Sequence, residues 1–130
     1  MLSVAVLALA ITTSITTIQR AMMNLDGARC LETAGRIMDC ELEKERLFTW
    51  ANVSNANYAP TIDSAFARDA TIATRFTLSR QLAVIANHDS KLVQVTLTVR
   101  WRSYDGRNLT RTHTTYFSNE GLNDFIYNRT

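Results

Sequence analysis

The chain reads as an α+β protein in which one long N-terminal helix packs on a small antiparallel β-sheet. Three observations predict this. Residues 2–50 contain no proline and only two glycines, Gly27 and Gly35, so nothing local forces a helix to break there. Residues 93–102 alternate apolar and polar side chains without a slip, the pattern of a strand with one buried face. Helical and strand patterns occupy separate halves of the chain, which favours α+β over repeated βαβ units.

At 130 residues the length allows one domain. Lys and Arg number 14 against 12 Asp and Glu, a net charge of +2, which is not the basic stripe of a nucleic-acid binder. Residues 20–50 carry five basic and six acidic side chains and residues 51–130 nine basic and six acidic, so the sheet half is mildly cationic.

The first nineteen residues carry no charge. Residues 2–18 are apolar or hydroxyl-bearing all round, as suits a helix surrounded by apolar material. The uncharged run approaches the ~20 residues that cross a bilayer. Thr12, Thr13, Ser14, Thr16 and Thr17 make its second half less lipophilic. Their hydroxyls can bond back to the preceding turn, and small side chains let helices approach closely. Val4, Leu7, Ile11, Ile15 and Ile18 are the expected membrane and assembly surface.

Residues 20–50 read as the amphipathic continuation. Met22, Leu25, Leu31, Ala34, Met38 and Leu42 define one stripe with Ile37 beside it, and Arg29, Glu32, Arg36, Asp39, Glu43 and Arg46 lie largely elsewhere. Leu31, Met38 and Leu42 are therefore expected in the core with Val95, Leu97 and Trp101. The run Glu41, Glu43, Lys44, Glu45, Arg46 reads as a solvated face. Cys30 and Cys40 would lie roughly 15 Å apart on one helix, beyond the ~7 Å Cα limit for a disulfide. Both are expected as free thiols, and neither has a Cys or His neighbour at metal-ligand spacing.

The helix should stop between Trp50 and Val53, where asparagines accumulate ahead of Pro60. A connecting loop over 52–70, with a short helical turn in 63–69, then leads into strands. Ile72, Phe76, Leu78, Leu82 and Val84 share one parity, residues 87–90 form a turn cluster, and Asp105-Gly106 marks a tight hairpin. The strand after it alternates poorly, and its register is open. A two-residue loop sets the threonine parity opposite Trp101, whereas a three-residue loop with a left-handed Gly106 sets Leu109 there. The expected organisation is a helix over 1–51, a loop over 52–70, and sheet plus C-terminal segment over 71–130. Residues 20–51 join that sheet in one globular domain.

No enzyme signature emerges. His88, His113, Asp63, Asp69, Asp89, Ser64 and the cysteines fall in no nucleophile elbow, metal spacing or glycine-rich loop. No cofactor, metal or small-molecule substrate is implied. Arg100, Arg102, Arg107 and Arg111 interleave with Trp101 and Tyr104, and a basic, aromatic hairpin can follow a phosphate backbone. Trp101, however, ends the apolar parity and should point inward, leaving arginines that guard the sheet from edge aggregation. Contact with nucleic acid is the weaker expectation.

The stretch "LSVAVLALAITTSITTIQRAMMN" resembles the latter part of the N-terminal segment of type IV pilins and of the pseudopilins of type II secretion systems. "LETAGRIMDCELEKERL" resembles the helix of the minor-subunit branch, the pilus V-type and secretion I-type subunits, and "VQVTLTVRWRSYDGR" with "THTTYFSNEGL" resembles their C-terminal hairpin. The similarity covers most of the chain outside roughly 52–90, as loose patterns without a strict motif. It implies a pilin-like fold and a structural subunit of a pilus or pseudopilus. Such a subunit sits in the bacterial inner membrane by a single pass, with its globular part periplasmic or on an extracellular filament and other pilin or pseudopilin subunits as partners. In the family a basic leader ending in Gly, an aromatic residue and a Glu open the segment. None precedes Met1, so the expectation is that the true segment begins upstream, the alternative being that the protein no longer assembles as its relatives do. The alternative is an exported soluble binding module whose signal is cleaved after Ala8-Leu9-Ala10, although no basic residue precedes the apolar run.

Overall fold

The computed structural model describes residues 2–67, 74–86 and 91–119. Ile72, Asp69, His88 and Asp89, the turn expected at 87–90 and the C-terminal segment from 120 lie outside the described residues. Helix α1 spans Leu2–Arg46, 45 residues, about 68 Å at 1.5 Å per residue. It passes through Asp26-Gly27 without a break, as the absence of proline allows. It ends before the expected Trp50–Val53 region: Leu47 and Phe48 donate to the carbonyls of Lys44 and Glu45 at 3.0 and 3.1 Å, and the chain turns. Thr49, with extended backbone, then opens the short helix α2, Trp50–Val53. The early turn has a packing reason, because it folds Val53 back into the core beside Leu42. A second short helix, α3, covers Ser64–Ala67. The Asp63 side chain accepts the Ala65 amide at 2.8 Å to start it.

Three strands follow: β1 Phe76–Val84, β2 Leu92–Arg102 and β3 Asn108–Ser118. They form one antiparallel sheet in the order β1-β2-β3. Leu78 lies opposite Val99, and Trp101 opposite Leu109. The hairpin resolves the open register in favour of the three-residue loop. Ser103 donates to the Arg107 carbonyl at 2.8 Å and Gly106 to the Ser103 carbonyl at 3.0 Å, around Tyr104-Asp105-Gly106. Gly106 has φ +85°, a conformation that costs a residue without Cβ nothing.

The fold is thus α+β, one long helix laid on one face of a three-stranded antiparallel sheet. The apolar parity of β2 is buried along its length, Val93, Val95, Leu97, Val99 and Trp101. The opposite face of the sheet is polar and uncovered. Two clusters make the core: Cys30, Ala34, Ile37 and Met38 with Phe76, Val99 and Trp101, and Leu42 and Val53 with Val93, Val95 and Leu97. This order makes β2 antiparallel to α1, so Trp101 lies level with Cys30 while Val93 lies level with Leu42. Phe76 and Trp101 stack with centroids 6.0 Å apart.

Two expectations about α1 are corrected by this packing. Leu31 is 47% exposed and outside both clusters, and Met22 and Leu25 are exposed as well. Glu41 and Glu45, expected on a solvated face, are both buried. At 100° per residue the buried arc centres on Ala34, with Glu41 and Glu45 within ~20° of it and Leu31 ~60° to one side. That side overhangs β3, whose nearby helix-facing residues Leu109 and Arg111 are exposed and cover little. Leu42, ~80° off centre on the same side, is buried because its cluster is backed by Phe48, Leu82 and Phe117.

Candidate membrane and assembly helix and its anchorage

The N-terminal half of α1 lies bare among the described residues. Every described side chain from Ser3 to Leu25 is exposed, including Val4, Leu7, Ile11, Ile15 and Ile18. An 18-residue window here has a mean hydropathy of 1.4 with none of it buried. The helix is therefore long and apolar enough to span a membrane, a property that a signal sequence shares. Its hydroxyls are satisfied within the helix. Thr12 and Thr13 donate to the carbonyls of Ala8 and Leu9 at 2.8 and 2.9 Å, and Ser14 and Thr17 to those of Ala10 and Thr13 at 2.8 Å each. Such back-bonding hides polar atoms from an apolar surrounding.

The globular part grips this rod at two levels. At the first, Arg75 donates two hydrogen bonds to Asp26, 3.1 and 2.6 Å, and a third to the Arg102 carbonyl, 2.7 Å. These bonds hold the Asp26 carboxyl below its usual range against the opposing effect of partial burial, with smaller help from the Arg75 charge and the Tyr104 backbone amide. The Cys30 thiol lies 3.9 Å from the Asp26 carboxylate, and burial pushes its pKa up. Both cysteines are free.

The Asp26 contact predicts a pH effect of definite sign. A carboxyl with a lower pKa folded than unfolded stabilises fully above the unfolded value, and the contribution fades as pH falls through the folded value. Unfolding midpoints of the native chain should therefore drop as pH falls below about 4, the unfolded aspartate value. Asp26→Asn should flatten that acid limb, and an unaltered limb would dismiss the contact as a stabilising one.

At the second level lies a buried ionic network that the residue pattern alone did not predict. Arg80 shares the β1 parity of Phe76, Leu78 and Leu82, so its side chain enters the core face, where it is 1% exposed. It donates to Glu45 at 2.8 Å and to the carbonyls of Asn55 and Val53 at 3.0 and 2.6 Å. Its guanidinium carbon stands 5.5 Å from the Tyr58 ring centroid. Tyr58 in turn donates to Glu41 at 2.6 Å and meets Phe48 edge-on at 5.1 Å. Lys44 reaches Glu41 at 3.3 Å and Asp63 at 3.7 Å. Burial raises the pKa of Glu45, opposed by Arg80. Burial and then the bond to Glu41 raise that of Tyr58.

This network ties helix, connecting loop and β1 together, and it fixes the angle at which the sheet sits on the rod. A signal for it existed in the sequence: a lone arginine on an apolar strand parity, and glutamates at the centre of an apolar helix arc.

Of the other candidates, Met38, Leu42, Val95, Leu97 and Trp101 are in the core and Leu31 is not. The four arginines of the hairpin do not form one surface. Arg100 and Arg102 lie on the outer sheet face, and Arg107 sits at the turn, paired with Asp105 at 3.2 Å. Arg111 is on the helix side, 3.4 Å from the Leu31 carbonyl. His113 is exposed opposite Leu97. Among the described residues no group of His, Cys, Asp and Glu is placed to hold a metal.

Compared with models of known protein families, with curated proteins and with solved structures, the chain matches none. The class that fold and site define is accordingly a physical one: an α+β protein with a single projecting apolar helix of membrane-spanning length, continuous with the helix that carries its core.

Proposed function

We propose that the protein is a minor pilin or pseudopilin, a structural subunit of a type IV pilus or type II secretion pseudopilus, held in the bacterial inner membrane by residues 1–19 and assembled through the same helix. One observation carries this reading. A single 45-residue helix is bare and apolar over its first half and forms half of a folded core over its second. A plain anchor needs no rigid coupling to the domain it holds. A rod that must leave lipid and pack among sister rods does, because it transmits the position of the sheet without a joint. The exchange costs little, since acyl chains and neighbouring helices are both apolar surroundings and the backbone stays internally bonded in either. The sheet then faces the periplasm or the filament exterior, where other subunits meet it.

The test has two arms. An arginine near the centre of a spanning helix costs about 2.5–3.5 kcal/mol on insertion scales, so Ile11→Arg should move the chain out of washed membranes, while Asp39→Arg, beyond the apolar run, should not. With the anchor intact, Ile15→Cys in a background lacking Cys30 and Cys40 should cross-link chain to chain along the rod. Membrane fractionation unaffected by Ile11→Arg would overturn the anchor. A mature chain beginning at Ile11 by mass spectrometry would establish the exported soluble module instead.

A further inference from the structure

The rod and the hairpin are related by a geometry that the membrane makes meaningful. Because β2 runs antiparallel to α1, its last residues travel toward the apolar end of the rod. Arg102 is joined through Arg75 to Asp26, and the Tyr104 amide faces the same carboxylate. The turn Tyr104-Asp105-Gly106 therefore lies level with Asp26 or beyond it, toward Arg20. From Arg20, the first charge after the apolar run, to Asp26 is about 9 Å along the helix. The headgroup layer extends roughly 5–8 Å beyond the hydrocarbon on each side. For an upright rod submerged to residue 19, the turn arrives at the headgroups.

Its chemistry fits that level. Among the described residues Arg20, Arg29, Arg75, Arg102 and Arg107 lie toward this end of the domain, and the nearby Asp26 and Asp105 are both engaged by arginines. Arg75, Arg100 and Arg102 border a shallow depression of about 590 Å³ on the outer sheet face, lined also by Thr110 and Asn108. Tyr104 stands at the turn 80% exposed. An exposed tyrosine beside arginines is the composition of a membrane–water interface, where the ring sits among headgroups and guanidinium forks bind phosphate. At the far end of the domain Arg80 is buried against Glu45, and Arg46, though exposed, is paired with Glu43.

We infer that the β2–β3 hairpin is a lipid-docking element, which lays Tyr104 among the headgroups and engages anionic phospholipid phosphates through Arg102 and Arg107. Docking would hold the domain against the membrane in a defined orientation before the rod is withdrawn. The inference rests on the membrane reading of residues 1–19 and adds a contact which that reading does not require.

The experiment uses the full chain reconstituted into phosphatidylcholine vesicles with and without phosphatidylglycerol. A fluorophore sits on Tyr104→Cys in a Cys30→Ala, Cys40→Ser background, and the lipids carry a headgroup quencher. The expected result is strong quenching in anionic vesicles, several-fold weaker in zwitterionic ones, since each Lys or Arg at an anionic surface contributes roughly a five-fold preference. Quenching should fall again in about 1 M salt, where screening reaches ~3 Å, and with Arg102→Gln and Arg107→Gln, both of which are exposed and outside the core. Chains that float with the vesicles but leave the fluorophore unquenched would overturn the docking and spare the anchor. Equal, salt-insensitive quenching in both lipids would overturn the phosphate contact. Displacement of the quenching by added single-stranded DNA at low salt, with no preference between lipids, would reassign the arginines to nucleic acid. Chains that do not float at all would overturn the anchor itself.

Discussion

Arg80→Ala is expected to destabilise the folded chain by about 3–5 kcal/mol, the cost of removing one partner of a buried ion pair and leaving the other charge uncompensated. Glu45 would lose its 2.8 Å donor, and the carbonyls of Val53 and Asn55 would lose theirs. The measurement is denaturant unfolding followed by near-ultraviolet dichroism, which reports on Trp50 and Trp101 at opposite ends of the core. A double variant separates the pair from its surroundings. Arg80→Met with Glu45→Leu removes both charges together, and exchange of a buried pair for apolar residues of similar bulk is often neutral or stabilising. It should recover most of the loss. A single variant within about 0.5 kcal/mol of the native chain, the range of ordinary surface changes, would mean that the pair does not clamp the sheet to the rod.

The second large effect decides the phase of the helix. Leu97→Ala should cost about 2–5 kcal/mol, since it empties a fully enclosed site at the centre of β2, where the side chain is completely buried. Leu31→Ala, on the stripe drawn from sequence, should cost under about 0.5 kcal/mol, because alanine is the better helix former and little apolar contact is lost. Unfolding midpoints of the two variants measure the difference directly. Equal losses would place Leu31 in the core and shift the buried arc toward it.

Both predictions turn on residues that a periodicity argument handles poorly. The apolar stripe from Met22 to Leu42 was legible as a helix, yet its exact facing was not. An arc 3.6 residues to the turn accepts any apolar side chain within a broad angle, and which flank is covered depends on what the sheet offers opposite it. Phe117 and Leu82 cover the cluster of Leu42. Leu109 and Arg111 leave Leu31 in the open. The charged run from Glu41 to Arg46 misled for the same reason. Residues of one run point all round the helix, and two of its glutamates point inward to partners that are 35 and 17 residues away.

By itself the sequence determined the features that local chemistry dictates. An unbroken helix comes from the absence of proline, a half-buried β2 from strict alternation, a hairpin from Asp105-Gly106, and an apolar, charge-free rod from composition. These are short-range consequences of backbone sterics and of side-chain periodicity, and they hold wherever the segment sits. Only the tertiary structure decided the register of β3, the phase of α1 against the sheet, the burial of Arg80 with Glu45, and the division of the four hairpin arginines among the two faces and the turn. Each of these is set by which distant residue lies opposite, and a chain carries that information only jointly, in the way its surfaces fit once they meet.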